Sequence, residues 1–358
     1  MSTLKVDNIR HNNATTDALV LSNDGSVAIG TCTAKITSVG GGGLSHRNIL
    51  INGSCAISQR GSSFSGTGFT LDRYYVGSGD YSVAQVTDAP SNSGLIYSLR
   101  VSRTASTTGY LTFQMIELPA TGQAGQFYNG AKFTLSGYVK GTSGATIVPT
   151  LRFSTGTNGS NGSSFTRTEG AFTCNGSWQP FTFHFTVDEN VGGSDKCVQS
   201  YFTFVTTATG QNVFFTGLQL EAGDTATSFE HRSISEELLR CQRYFKRMRG
   251  AVGGGGGYGS AGDGAVATLA NWTGSGAYGL LPLGVEMRYA PKLTGFANLN
   301  YFCAGSTFAP ANSSQCYLAG SSYDRVELTL QGMSMTQGHA GWLRIDNPSG
   351  YMDFDAEL

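Results

Sequence analysis

Alternating apolar and polar residues run through most of this chain and predict short β-strands. Phe133, Leu135 and Val139 share one side of segment 132–139, and every second residue of segment 181–187 is apolar. Because successive side chains of a strand point to opposite faces, this pattern indicates strands with one buried face. Similar segments recur through residues 45–232 without an intervening helical pattern. We therefore predict a mainly β protein in which residues 45–232 form a jelly-roll-like β-sandwich.

Residues 1–44 predict an extended N-terminal arm. An Asn-Asp-Gly turn at 23–25 separates two short apolar alternations, a typical hairpin signal. The alternating residues are Leu19, Leu21, Val27 and Ile29. A single hairpin cannot bury a core of its own. The four glycines at 40–43 predict a flexible joint between the arm and the sandwich.

A helical pattern follows the sandwich and predicts a short central helix over residues 233–250. Ser233 and Glu236 have the spacing of a capping box, in which each side chain satisfies a backbone N–H at the helix start. Acidic residues come first and basic residues last, which complements the helix dipole at both ends. Gly250 then predicts the end of the helix.

The apolar positions of this predicted helix recur with a period of about 3.5 residues, which is typical of a coiled coil. They are Ile234, Leu238, Cys241, Phe245 and Met248. A helix of this length is only marginally stable alone in water, so the seam needs a partner. The partner is either the β body of the same chain or the same helix in neighbouring chains. We predict a trimeric, coiled-coil-like interface.

Residues 251–358 open with the glycine run 253–257 and then resume short strand patterns. Their apolar density is lower than that of the sandwich, which predicts a small C-terminal β domain that depends on neighbours for stability. The pair Asp353 and Asp355 alternates on the last predicted strand, where exposed edge charges would block pairing between sheets.

Composition excludes several classes of function. Charged residues make up 13% of the chain and the net charge is −1, which argues against nucleic acid as a partner. The five histidines are scattered and the seven cysteines form no CxxC pair, so we predict buried free thiols, no metal site and no cofactor. The start MSTLKVDNIR lacks the apolar core of a signal peptide, and we expect synthesis in a cytoplasm without secretion.

Several segments resemble tail fibres and receptor-binding proteins of tailed bacteriophages, including those of marine bacteria. They are STLKVDNIRH near the start, RNILINGSCAISQRGSSF at 47–64, FTLDRYYV at 69–76, FTGLQLEAGDTATSFEHRSISEELLRCQRYF at 215–245, VEMRYAP at 285–291 and the terminal DAEL. The block ending at residue 245 is the most specific. That family often carries Trp where this chain has Ser58 and Tyr74 or Tyr75.

The resemblance implies a homotrimeric virion appendage that is assembled in the host cytoplasm. A phage tail or baseplate protein would hold the N-terminal arm. The C-terminal β domain would bind a bacterial surface glycan or an outer-membrane protein. We therefore expect a non-enzymatic adhesin. Two alternatives stay open, a tailspike that depolymerises polysaccharide and a purely structural decoration or connecting fibre.

Aromatic residues are the candidate receptor-binding groups, because sugar C–H faces stack on aromatic rings while polar neighbours orient the hydroxyls. The candidates are Tyr258, Trp272, Tyr278, Tyr323 and Trp342. The alternative for Trp272 and Trp342 is a place in the core of the small domain. The carboxylate pair Glu236 and Glu237 lies in a helix first turn, where capping explains it without catalysis.

Overall fold

A computed structural model describes residues 46–357 apart from 78–79, 106–109, 121, 155–165, 194, 207–208, 251–263, 304–305, 311 and 346–348, together with five short strands before residue 46. The chain divides into two compact units, residues 1–46 and 47–358. Within the described residues, no helix has the length and apolar character that a membrane span requires.

The first unit contains the predicted hairpin. Its strands are β1 (Asn8–Ile9), β2 (Leu19–Leu21), β3 (Val27–Ile29), β4 (Ser38–Val39) and β5 (Gly42–Gly43). Strands β2 and β3 pair antiparallel, with Leu19 opposite Ile29 and Leu21 opposite Val27, which confirms the two paired strands; the turn predicted at 23–25 lies outside the described residues. The glycine run was predicted as a joint, but its last two residues form β5, which pairs with β4.

Thirteen strands build the sandwich at the start of the second unit. They are β6 (Ser63–Ser65), β7 (Gly68–Phe69), β8 (Tyr75–Val76), β9 (Tyr81–Val86), β10 (Ser98–Arg103), β11 (Tyr110–Glu117), β12 (Lys132–Gly141), β13 (Thr146–Ser154), β14 (Thr166–Thr168), β15 (Phe172–Thr173), β16 (Gln179–Thr186), β17 (Cys197–Thr206) and β18 (Asn212–Ala222). One sheet has the order β16-β12-β18-β10-β9-β6 and the other β14-β13-β17-β11-β8-β7, with β15 also paired to β13. The mainly β fold is therefore confirmed.

Stacked phenylalanines join the two sheets. Phe202 on β17 stacks on Phe215 of β18 at 4.8 Å between ring centroids, and Phe113 packs edge-on against Phe202 at 4.5 Å. Phe181 and Phe185 of the predicted apolar face are buried in the same core. Since rings from both sheets meet between them, the core of the sandwich lies where the alternation predicts it.

The central helix is shorter than predicted. Helix α1 spans Ile234–Gln242, and the hydroxyl of Ser233 accepts a hydrogen bond from the N–H of Glu236 as an N-cap. Residues Phe245–Arg249 form strand β19 instead of the last helical turns, and each pairs with a residue of the final strand, β28 (Tyr351–Asp355). The predicted helix end at Gly250 is therefore wrong. Hydrogen bonds to a strand about a hundred residues away outweigh the local helical pattern.

The predicted trimer seam is not continuous on this helix. Ile234 is 62% exposed, whereas Cys241 and Phe245 are buried within their own chain. Met248 packs on the C-terminal core of the same chain, and Leu238 is half-buried. The residues from Ile234 to Met248 therefore lie on two different elements, and the 3.5-residue spacing does not form one interface.

Ten strands complete the second unit. Besides β19 and β28 they are β20 (Gly264–Thr273), β21 (Gly276–Pro282), β22 (Lys292–Ala297), β23 (Leu299–Cys303), β24 (Ser306–Phe308), β25 (Cys316–Ser321), β26 (Arg325–Gln331) and β27 (Ala340–Ile345). A seven-stranded sheet has the order β24-β23-β27-β20-β21-β26-β25, and a three-stranded sheet the order β19-β28-β22. One apolar cluster, separate from that of the sandwich, takes residues from both sheets.

Buried charges tie the end of the chain to the sandwich. Arg73, itself almost fully buried, forms an ion pair with Glu357, and Arg60 contacts Glu357 at 3.3 Å and Asp355 at 3.2 Å. Asp353 accepts two hydrogen bonds of 2.6 Å from Arg247. The prediction of exposed edge carboxylates is therefore wrong, because β28 is the central strand of its sheet.

Segments 47–64 and 69–76, which resemble phage fibres in sequence, contact helix α1 and strand β19. Gln59 donates hydrogen bonds to Asp72 at 2.6 Å and to the carbonyl of Phe245 at 2.7 Å, and the guanidinium of Arg60 lies 3.5 Å from the ring centroid of Phe245. The backbone N–H of Asn52 donates to the carboxylate of Glu237. These residues hold the strands and the helix together within the fold.

The six cysteines that the structure describes are free and buried, in agreement with the predicted thiols; Cys32 lies outside the described residues. Burial raises the pKa of Cys55 and of Cys316 to about 12. Such thiols stay protonated and act as small apolar side chains.

Candidate functional site

The seven-stranded sheet has one face on the core and one face open to solvent. Along β20, Leu269 and Asn271 are buried, while Thr268, Ala270 and Trp272 are exposed. The same alternation runs along β27, where Gly341 and Leu343 are buried and Trp342 is 61% exposed. Strands β20 and β27 lie in the middle of the sheet, with a hydrogen-bonded strand on each side. The backbone that carries their exposed side chains is therefore held in place.

Strand register places several large side chains side by side on the open face. Trp342 stands opposite Thr268 on one neighbouring strand and opposite Phe302 on the other. Tyr278 on β21 stands opposite Ala270, and Leu280, two residues on, is 62% exposed. We call this surface the aromatic face, defined by Thr268, Ala270, Trp272, Tyr278, Leu280, Phe302 and Trp342.

Trp272 lies at the end of the aromatic face and is 73% exposed. The neighbouring Asn271 is buried and fixed, because it donates to the carbonyl of Thr336 at 2.8 Å and accepts from the hydroxyl of Tyr301 at 2.7 Å. A register shift between β20 and β21 occurs at this point. A shallow cavity of about 360 Å³ lies beside the ring, lined by Asn271, Trp272, Thr273, Gln337 and Gly338.

The aromatic face also carries polar groups. The guanidinium of Arg344 lies 4.5 Å from the ring centroid of Phe302, and Glu327 stands opposite Leu280 on β26. Thr268 stands opposite Trp342, and Gln337 lines the cavity beside Trp272. Exposed indole rings beside hydroxyl and amide groups can stack on the C–H face of a sugar while they orient its hydroxyls.

The sequence-predicted candidates fall into three groups. Trp272, Tyr278 and Trp342 belong to the aromatic face, so the tryptophans are not core residues. Tyr323 lies in the turn between β25 and β26 and is 51% exposed, away from the row that Trp342 and Thr268 define. Tyr258 lies outside the described residues.

Sequence reasoning missed Leu280, Phe302 and Arg344. Phe302 and Arg344 each lie between two buried residues of their strand, and Leu280 precedes the buried Leu281, a pattern that indicates a half-buried strand. The alternation does not reveal which side of a strand is buried until the partners of that strand are known. The register of the paired strands shows which of these side chains share the open face.

The carboxylates that the sequence singled out all have cationic neighbours. Glu236 accepts from Arg240 at 2.9 Å, and Glu237 lies 3.5 Å from Arg232. Asp353 and Asp355 are paired with Arg247 and Arg60. Across the described part of the chain, no group of three His, Cys, Asp or Glu side chains is arranged as metal ligands.

No protein-family model and no curated protein matches this sequence. Among solved structures, the enzymatically active domain of tailspike protein 4 from bacteriophage CBA120 is similar at 14% identity and a TM-score of 0.33, covering 49% of this chain and 21% of that chain. The match thus spans about a fifth of that solved domain.

Two further solved structures are similar over about half of this chain. TmCBM61 in complex with β-1,4-galactotriose is 16% identical with a TM-score of 0.31, over 49% of this chain and 99% of that chain. A carbohydrate-binding module of the β-sandwich superfamily is 15% identical with a TM-score of 0.32, over 56% and 71%. Similarities at these TM-scores carry no information on function.

Proposed function

We propose that this protein is a non-enzymatic adhesin that binds a bacterial surface glycan through the aromatic face. The observation that carries the proposal is the exposure of two tryptophans, Trp272 and Trp342, on one open sheet face. Large apolar side chains seldom stay exposed together on a soluble protein without a binding role. The indole ring is also the side chain that most often dominates an interface.

The resemblance to phage fibres extends the proposal to a virion. A homotrimer held at its N-terminal arm by a tail or baseplate protein would present three equal aromatic faces. Linked sites raise the apparent affinity because the second and third contacts form within one particle. Weak sugar contacts then add up to firm attachment.

Removing both indole rings tests the proposal. We expect the double variant Trp272→Ala/Trp342→Ala to bind its glycan roughly thirty- to several-hundredfold more weakly on a glycan array, because each lost ring contributes about 1–2 kcal/mol. The matched control is Tyr128→Ala, which removes an aromatic ring that is 61% exposed in the sandwich. Both variants should keep the wild-type circular dichroism spectrum.

Two outcomes would contradict the proposal. Unchanged array binding by the double variant would mean that the aromatic face does not hold the sugar. New reducing ends after incubation of the wild-type protein with the bound polysaccharide would show a depolymerase instead of an adhesin.

A further inference from the structure

A second cavity lies between the sandwich and the C-terminal sheets, away from the aromatic face. Its volume is about 660 Å³, within the range of roughly 300–1,000 Å³ that small-molecule sites occupy. Strands β7 and β8 form one wall, and the segment that leads into β22, with the end of the chain, forms the other. The lining residues that a ligand would meet first are Phe69, Tyr75, Lys196, Tyr289, Lys292 and Thr294.

The acidic groups of this junction cavity are already neutralised. Glu357 is paired with Arg73 and Arg60, and Asp355 is paired with Arg60. Arg288 in turn lies 3.6 Å from Glu117. The anions at the wall therefore have cationic partners within the protein.

Two lysines at the cavity wall have no such ion-pair partner among the described residues. Lys196 and Lys292 are exposed at its wall, and among the described residues neither makes an ion pair within 4 Å. With the carboxylates neutralised, the two ammonium groups give the cavity a positive potential that favours an anion.

Aromatic rings make this cavity suitable for a sugar. Tyr289 is 62% exposed, and Phe69 packs edge-on against Tyr75 with 5.2 Å between ring centroids. The hydroxyl of Thr294, which donates to the carbonyl of Asp353 at 3.5 Å, adds an acceptor at the wall. Aromatic surface, a hydroxyl and two cations together match a ring that carries a carboxylate.

We propose that the junction cavity binds a hexuronic acid unit of an acidic polysaccharide, with the carboxylate between Lys196 and Lys292 and the ring against Tyr289. The inference rests on the proposed function only in that the ligand is a sugar. It adds a specificity that the aromatic face does not provide, because stacking on indole does not distinguish acidic from neutral rings.

The test uses oligomers of galacturonate, glucuronate and mannuronate, each beside its carboxyl-reduced neutral form, with the full chain and isothermal titration calorimetry. We expect at least one uronate oligomer to bind more tightly than its reduced form. The variant Lys196→Gln/Lys292→Gln should lose about tenfold in affinity per lysine, since each substitution removes a charge-assisted hydrogen bond to the carboxylate. The control Lys132→Gln removes a lysine that is paired with Asp224 on the sandwich surface and should bind normally.

Chemical protection identifies the site directly. Bound uronate should slow the acetylation of Lys196 and Lys292, measured by mass spectrometry, but leave Lys132 unprotected. The variant Trp272→Ala/Trp342→Ala should keep the preference for the uronate, which separates this cavity from the aromatic face. Equal binding of all uronates and their reduced forms, or unchanged binding by the lysine variant, would overturn the proposal whatever the result at the aromatic face.

Discussion

Truncation of Phe245 to alanine is expected to lower the free energy of unfolding by about 3–5 kcal/mol. The side chain is 2% exposed and lies beneath the guanidinium of Arg60, while its carbonyl accepts a hydrogen bond from Gln59. Its removal leaves a cavity where the sandwich meets β19. Urea unfolding followed by circular dichroism measures the change.

Ile234→Ala is the matched control, because Ile234 occupies an equivalent position in the predicted seam. Its side chain is 62% exposed, so we expect a change within about 0.5 kcal/mol. A continuous seam between helices would instead make both truncations weaken the assembled protein. Similar losses of stability for Ile234→Ala and Phe245→Ala would therefore contradict the division into helix and strand.

Glu357→Gln is the second substitution with a large expected effect, about 3–5 kcal/mol of lost stability. Arg73 and Glu357 are both almost fully buried, at 1% and 2% side-chain exposure. Neutralising the carboxylate leaves a buried guanidinium without its counter-ion, although Arg73 keeps its hydrogen bond to the carbonyl of Met115 at 2.7 Å. Thermal and urea unfolding should both shift.

Two further variants show whether the loss comes from the unpaired charge. The double variant Arg73→Met/Glu357→Leu should recover much of the stability, because apolar side chains can replace a buried pair at little cost. Asp324→Asn removes a carboxylate whose pair with Arg325 is exposed and should leave unfolding unchanged. No loss for Glu357→Gln would mean that the chain end does not hold the sandwich.

The strands were predictable from the sequence where one face is buried. Phe181 and Phe185 alternate with polar residues, and both lie in the sandwich core. Leu19 and Ile29 were also assigned correctly to opposite strands of a hairpin. In the hairpin the two partner strands are neighbours in sequence, and along β16 the period of two itself shows which face is buried.

Prediction failed where distant segments meet. Phe245 and Met248 continue the helical spacing of Cys241, but pairing with β28 makes them part of a strand. Asp355 looks like an exposed charge until Arg60 is placed beside it. The aromatic face shows the same limit, since Trp342, Thr268 and Phe302 are neighbours only through register. A local pattern carries no information on such partners.

The most direct test of the aromatic face is tryptophan fluorescence in a Trp178→Phe variant, in which Trp272 and Trp342 are the remaining indoles. We would titrate this protein with the glycan that gives the strongest array signal, in the presence of acrylamide as a quencher. The account predicts a blue-shifted emission and reduced quenching as the sugar covers the rings. Saturating glycan binding with unchanged emission and unchanged quenching would contradict it.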